Sequence, residues 1–364
     1  MLREALEDAP ALFDLVDSAV VFGGERPLLA LAQALEAGAS LEGVPNLLYR
    51  AGDAVRATPL GEPLPLVETP TPDFDGLPLG RYLAPEPVLP LLTARGCYHG
   101  RCAFCNVGYG AHEAFAQHAA ERVVEEMLAL RERYGARHIF FADEAITLRN
   151  LRAMSTRLAE EPGGAPIHWA TCARMERALD RDLLEAMARG GCRMLLYGLE
   201  TASPRIVAAM DKGTTVEAMD RVLREGAAAG LWNHVFFFFG FPGETMEDAQ
   251  RTVDFLYAHA DCIHSAALGT FLLERYAPAH RAPERYGIRS VAPTGARDLA
   301  IYYDYQVASG IDEALAETIV QRLMDVLPLK EHPQYYMHDV YRFLYAAHLH
   351  EAGRPYPAWL GGER

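Results

Sequence analysis

Cys97-Tyr98-His99-Gly100-Arg101-Cys102-Ala103-Phe104-Cys105 spaces three cysteines as C-x4-C-x2-C. The run follows the apolar stretch Val88-Leu89-Pro90-Leu91-Leu92, and the next cysteine along the chain is Cys172. Three thiolates on one loop can hold three irons of a four-iron cluster and leave the fourth iron open to another ligand. A structural zinc site or an electron-transfer cluster ordinarily closes all four positions. An incomplete soft-ligand set just after a strand therefore points to cluster chemistry on a bound molecule. A zinc site and reduced bystander thiols are the competing readings.

Outward from this loop, strands and helices alternate. Leu89–Thr93 reads as a first strand. Val123, Val124, Met127 and Leu128 mark a helix over 119–134 that Gly135 stops. His138–Phe141, Ile167–Thr171 and Met194–Tyr197 are the second to fourth strands, and Asp180 caps a helix ending at Gly190-Gly191. Thr214-x-x-Glu217 and Thr245-x-x-Asp248 read as helix starts. His234–Phe239 is the fifth strand; its four consecutive phenylalanines call for burial on both faces, as in a parallel sheet. Ile263–Leu273 supplies the sixth. Six such units make an α/β fold, a partial (β/α)6 TIM-like barrel, with the cysteine loop at the C-terminal strand ends where barrel enzymes do their chemistry.

The cysteine run resembles the cluster loop of the radical S-adenosylmethionine (SAM) superfamily, which mostly uses C-x3-C-x2-C; one extra residue between Cys97 and Cys102 is a departure. Gly198-Leu199-Glu200-Thr201-Ala202-Ser203, Met210-Asp211-Lys212-Gly213 and Gly240-Phe241-Pro242-Gly243-Glu244-Thr245 resemble later blocks of that family. The resemblance spans about residues 88–273. It implies a [4Fe–4S] cluster on Cys97, Cys102 and Cys105, with SAM chelated at the open iron. It further implies that Phe104 packs on the adenine, Glu144 contacts the SAM amino group, Glu200 the ribose hydroxyls, and Lys212, with Arg174, the SAM carboxylate. A carboxylate accepting from a diol and an ammonium facing a carboxylate are chemically apt. The plain alternatives are that Glu144 begins a loop and Lys212 is a solvated helix-end charge. Gly240 to Thr245 reads mainly as a tight turn. His99 and His112 lie near the loop and read as free loop histidines, and Cys172, Cys192 and Cys262 as buried small side chains.

Residues 1–60 form a small α/β piece: a strand through Val21, a helix near 26–37, and a hairpin of 46–50 with 54–57 around Gly52-Asp53. This resembles the end of the cobalamin-binding domain that precedes many radical SAM barrels. Most of such a domain is missing, and no Asp-x-His-x-x-Gly motif occurs. Loss of the cobalamin site, a separate completing chain and a truncated start are the accounts open; the expectation is no cobalamin on this chain alone. Residues 61–87 are a Pro-rich connector, 88–273 the barrel, and 274–364 a mainly helical region.

The 364 residues carry a net charge of −15 and are 50% hydrophobic, enough for a sizeable core and against a broad phosphate-backbone footprint. Six cysteines with a cluster motif suit a reducing, cytoplasmic setting. The acidic start lacks the apolar core of a secretory leader, and Val235–Phe241 is too short to span a bilayer. The expectation is an enzyme that cleaves SAM reductively, drawing electrons from a flavodoxin or ferredoxin, and abstracts hydrogen from an unidentified peptide or secondary-metabolite intermediate. The alternatives are a cobalamin-partnered radical SAM methyltransferase and a non-catalytic metal-binding module.

Overall fold

The alternation from Val88 onward becomes, in the computed structural model, a six-stranded all-parallel sheet. The structure describes residues 3–7, 10–107, 115–161, 164, 166–293, 301–326 and 337–360, so His112 lies outside the described residues. Two compact units divide the chain. One comprises Met1–Pro70, Phe104–Ala114 and Leu272–Gln306; the other comprises Thr71–Ala103, Phe115–Phe271 and Val307–Arg364.

The smaller unit holds an antiparallel sheet of β1 (Ser18–Val20), β2 (Leu47–Ala51) and β3 (Ala54–Ala57), with helix α1 (Glu25–Glu36). The β2–β3 turn rests on Gly52, which is left-handed at φ 66°. A second three-stranded sheet, built from Leu273–Glu274, Ile288–Pro293 and Tyr302–Val307, stands where the sequence reads mainly as helix. Tyr302, Tyr303 and Tyr305 favour a pleated surface over a helix, a preference that the helical patterns on either side outweigh when the region is read as one.

The larger unit runs β4 (Val88–Leu91), α2 (Ala120–Tyr134), β5 (His138–Phe141), α3 (Leu148–Ala159), β6 (His168–Ala173), α4 (Arg181–Arg189), β7 (Cys192–Glu200), α5 (Val216–Ala228), β8 (Trp232–Phe239), α6 (Met246–Ala258) and β9 (Ser265–Thr270). Strand order follows chain order from β9 to β4, so the sheet is a partial barrel rather than a closed one. Caps set the helix ends. Asp180 accepts from the Leu183 N–H, Thr245 and Asp248 form a capping box, and Gly135 ends α2 at φ 64°. For α5 the cap is Thr215, one residue beyond the predicted Thr214, whose hydroxyl donates instead to the Met175 carbonyl.

Side-chain alternation separates the two faces of the sheet. Leu89, Ile139, Phe141, Leu195, Tyr197, Val235, Phe237 and Phe239 join the helix-covered core. Ala170, Met194, Leu196 and Trp232 face the other way, against Phe343, Ala346 and Leu349 of helix α8 (Asp339–Glu351), which comes after α7 (Glu313–Val326). Phe236 and Phe238 are only half-buried on that inner face, because an open barrel leaves space there. The edge strand β4 is blunted by Pro90, which has no N–H to offer, and by the connector, which with the start of α8 borders an apolar cavity of about 660 Å³. Among the described residues no helix is long and apolar enough to cross a membrane.

Candidate active site

Glu200 closes β7 through a local irregularity. Along the β7–β8 pair the register moves from Phe236 opposite Gly198 to Phe237 opposite Glu200, so Leu199 is an extra residue. Such a bulge bends a strand and re-aims the side chains beyond it. Glu200 is left-handed at φ 63°, a conformation that a non-glycine residue keeps only when its surroundings enforce it. Its carboxylate turns back over Gly198 and meets Lys212 Nζ at 3.0 Å. A Cβ at position 198 would collide with Glu200 Oε1, so the glycine makes room for the pair. Glu200 and Lys212 are 9% and 8% exposed, which excludes a solvated helix-end charge for Lys212. Inside the protein each needs the other, since an isolated buried charge is costly.

The turn that carries Lys212 is held from outside itself. Asp211 is left-handed at φ 48° and Gly213 at φ 70°. The Ala103 N–H donates to the Met210 carbonyl at 2.8 Å. The His99 ring, through Nε2, bonds the Asp211 carbonyl at 2.6 Å. The Arg174 guanidinium donates to the Lys212 carbonyl. Three successive carbonyls are thus satisfied, two by the cysteine loop and one by the residue after β6.

Arg174 also donates from Nε to Glu176 Oε1 at 2.9 Å, and Glu176 accepts from the Tyr98 hydroxyl at 2.8 Å. Burial, and then the Glu176 carboxylate, push the Tyr98 phenol far up, so it stays a neutral donor. Burial likewise pushes the Cys102 thiol up, while the charges of Lys212 and Arg174 and a hydrogen bond from Arg174 pull it down. Burial wins, so the thiol lies above its ordinary value, and the two cations facing this sulfur offset only part of that cost of forming the thiolate, the form that binds metal.

The structure therefore brings Cys102, Arg174, Glu200 and Lys212 into one cluster. Glu144 is exposed after β5, and its charge is felt at Cys172. Its neighbour Asp143 is buried and accepts from the Thr93 and Ala94 backbone N–H groups and the Thr93 hydroxyl; burial raises its carboxyl to about 7 against those donors. Phe104 and Cys105 belong to the smaller unit, where Asn106, next in the chain, anchors on Glu274 and on the Arg275 carbonyl. No disulfide joins any of the six cysteines. Burial holds the Cys172 and Cys262 thiols up at about 12 and raises Cys192 further, in keeping with inert side chains. In the Gly240 to Thr245 turn, the buried Glu244 accepts from the Gly240 N–H at 2.6 Å, and burial raises its carboxyl to about 7. Tyr98 and Glu176 do not stand out in the sequence, and Gly198 and Gly213 enter it only as members of the resembling blocks, with no role of their own. For Glu176 the one local signal is the Arg174-Met175-Glu176 spacing, which puts alternate residues on one side of an extended segment.

Among the described residues, no three His, Cys, Asp or Glu side chains gather as ligands of a single ion. A cluster takes each thiolate on a different iron and does not need such convergence. The radical SAM superfamily profile matches residues 91–256. An uncharacterized methyltransferase of Pyrococcus horikoshii is 33% identical over 245 residues, covering 66% of this chain and 52% of that protein. Residues 91–256 form a radical SAM domain. The bacteriochlorophyllide d C-12(1)-methyltransferase of Chlorobaculum tepidum is 27% identical over 46% of this chain and 37% of its own. The chain thus spans about half the length of the first relative and less of the second. Among solved structures, the cobalamin-dependent SAM radical enzyme OxsB superposes with a TM-score of 0.66 at 16% identity, over 95% of this chain and 58% of that one. The radical SAM methyltransferase TsrM from Kitasatospora setae does so with 0.60 at 22% identity, over 79% and 58%. At these identities the likeness is one of fold.

Proposed function

We propose that this radical SAM chain transfers a methyl group from SAM, with Cys97, Cys102 and Cys105 holding a [4Fe–4S] cluster and Glu200, Lys212 and Arg174 holding SAM. The observation that carries the SAM site is the buried Glu200–Lys212 pair beside Cys102. Each charge neutralises the other before SAM arrives. SAM then offers a diol to Glu200 and a carboxylate to Lys212, so neither charge is left bare. Arg174 links the two tasks, since it reaches both Cys102 and the Lys212 backbone. Phe104 packs on the adenine, and Glu144, on the exposed loop after β5, is reserved for the SAM amino group. When bound, the cluster supplies the electron, fed by a carrier such as a flavodoxin or ferredoxin, and the open iron.

Methyl transfer, rather than hydrogen abstraction as the whole outcome, is supported by the names of the relatives, several of which are methyltransferases. Because OxsB and TsrM have been solved with it, cobalamin enters this reading as a second cofactor, supplied from outside this chain, whose residues 1–60 resemble only the end of a cobalamin-binding domain. The test is to reconstitute the protein anaerobically, reduce it, and identify the products of SAM with and without added cobalamin. S-adenosylhomocysteine that depends on cluster and cobalamin is expected. Methionine and 5′-deoxyadenosine with no S-adenosylhomocysteine would sink methyl transfer in favour of hydrogen abstraction.

A further inference from the structure

We propose that His99 is a positioning residue for Lys212. The longer first half of the cysteine loop serves to bring its ring onto the Lys212 turn, so that cluster loop and SAM-carboxylate cation are set as one piece. The inference rests on the reading that Lys212 binds SAM. Asp211 and Gly213 on either side of Lys212 are both left-handed, and Asp211 lacks the freedom of glycine. A turn of that kind keeps its shape when its polar groups are tied down. The tie at Asp211 is the His99 Nε2 bond of 2.6 Å to its carbonyl. Gly213 completes the seat, because a Cβ there would lie 2.6 Å from His99 Cε1. With glycine at this position the imidazole can lie against the turn.

The neighbouring bonds give the latch its direction. Tyr98, one residue before His99, is fixed by Glu176, which also orients Arg174, and Arg174 caps the Lys212 carbonyl. Ala103, one residue after Cys102, caps the Met210 carbonyl. The turn is therefore fastened at positions 210, 211 and 212, with His99 alone among the three donors reaching from between the first two cysteines. Without His99 the Asp211 peptide can relax from its strained conformation, carrying the Lys212 ammonium off its line toward Glu200.

The experiment compares His99→Ala, His99→Gln, Lys212→Gln and the double variant His99→Ala/Lys212→Gln in the reconstituted full chain. Iron content, dissociation constant for SAM by equilibrium dialysis, and the change that SAM causes in the electron paramagnetic resonance signal of the reduced cluster are measured. His99→Ala should bind SAM about tenfold more weakly, the scale of one lost hydrogen bond, with iron content unchanged. His99→Gln, whose Nε2 amide reaches the place of the imidazole Nε2 and can still donate to the Asp211 carbonyl, should recover most of the affinity. The double variant should be no weaker than Lys212→Gln alone, since His99 acts through Lys212. Unchanged affinity in His99→Ala, full additivity in the double variant, or loss of iron together with SAM binding would each overturn the proposal. A cluster-loaded wild-type protein that binds no SAM would instead strike down the functional reading on which it rests.

Discussion

The two ends of the parallel sheet carry polar clusters of similar size and opposite character. At the C-terminal strand ends, Glu200, Asp211 and Gly213 are left-handed, and Glu200 and Lys212 are buried charges. At the N-terminal ends, His138 and His168 open β5 and β6, and Arg137 bonds Glu86 at 2.9 Å and Glu351 at 2.8 Å. His168 Nε2 meets Glu351 at 2.9 Å, tying the last residue of α8 under the sheet. None of these five residues is left-handed. An ion-pair group on relaxed backbone serves to fasten one element to another. A pair of buried charges on strained backbone must answer to something else, and in barrels that end is the one that carries chemistry. Charge clustering alone does not separate a site from an anchor; the backbone beneath it does.

The sharpest break in the comparison comes from the cysteines. Replacing Cys97, Cys102 or Cys105 with Ala should abolish iron and sulfide incorporation on anaerobic reconstitution, from about four of each per chain to near none. Replacing Cys172, Cys192 or Cys262 should leave it intact. An equal need for Cys172 would overturn the open-iron assignment.

A crossed pair of substitutions sharpens the difference next. Lys212→Gln should weaken SAM binding about ten- to a hundredfold, the scale of one charge-assisted hydrogen bond, with iron content unchanged. Glu351→Gln should leave SAM affinity unchanged and lower the unfolding free energy by about 1 kcal/mol, because the carboxylate is partly exposed and its ion pairs are screened. Titration of SAM and chemical unfolding of both variants decide the matter. A Glu351→Gln protein that folds well and loses SAM would make the lower cluster part of the site.

Sequence carries the fold where local pattern and global structure agree. The apolar run Val235–Phe239, the capping residues Asp180 and Thr245, and the glycine after Tyr134 each act within a few residues, so they are legible one segment at a time. The site is legible as residue types: Cys102, Arg174, Glu200 and Lys212 lie together. What holds them is not. The extra residue at Leu199 exists only relative to β8, and the left-handed turn at Asp211 is stabilised by donors more than a hundred residues earlier in the chain, at His99 and Ala103. Glu176 is decided by Tyr98, far back in sequence. The lower cluster escapes a sequence reading for the same reason, as Glu351 finds its partners across the whole barrel.

The smallest effect expected is a dependence of stability on pH that belongs to the lower cluster. Burial holds His168 down at about 4, below its ordinary value near 6.5. Between these values the unfolded chain binds a proton that the folded protein does not, so stability rises with pH across that window and falls as the medium is acidified through it. Glu351 acts in the same direction at lower pH. The hydrogen bond from His168, ahead of Arg137, keeps its carboxylate at about 2, so its contribution is present above the ordinary carboxylate range and fades as pH drops below it. Unfolding midpoints should therefore drop on going from pH 6.5 to pH 4 in the wild type, and drop less in His168→Gln, which cannot take up the proton. Buried His264, also held at about 4, remains in both proteins and cancels in the difference. An identical pH slope in the two proteins would show that His168 is not held neutral by burial at the foot of the sheet, and the contrast between a buried, relaxed anchor and a strained site would then lose its lower half.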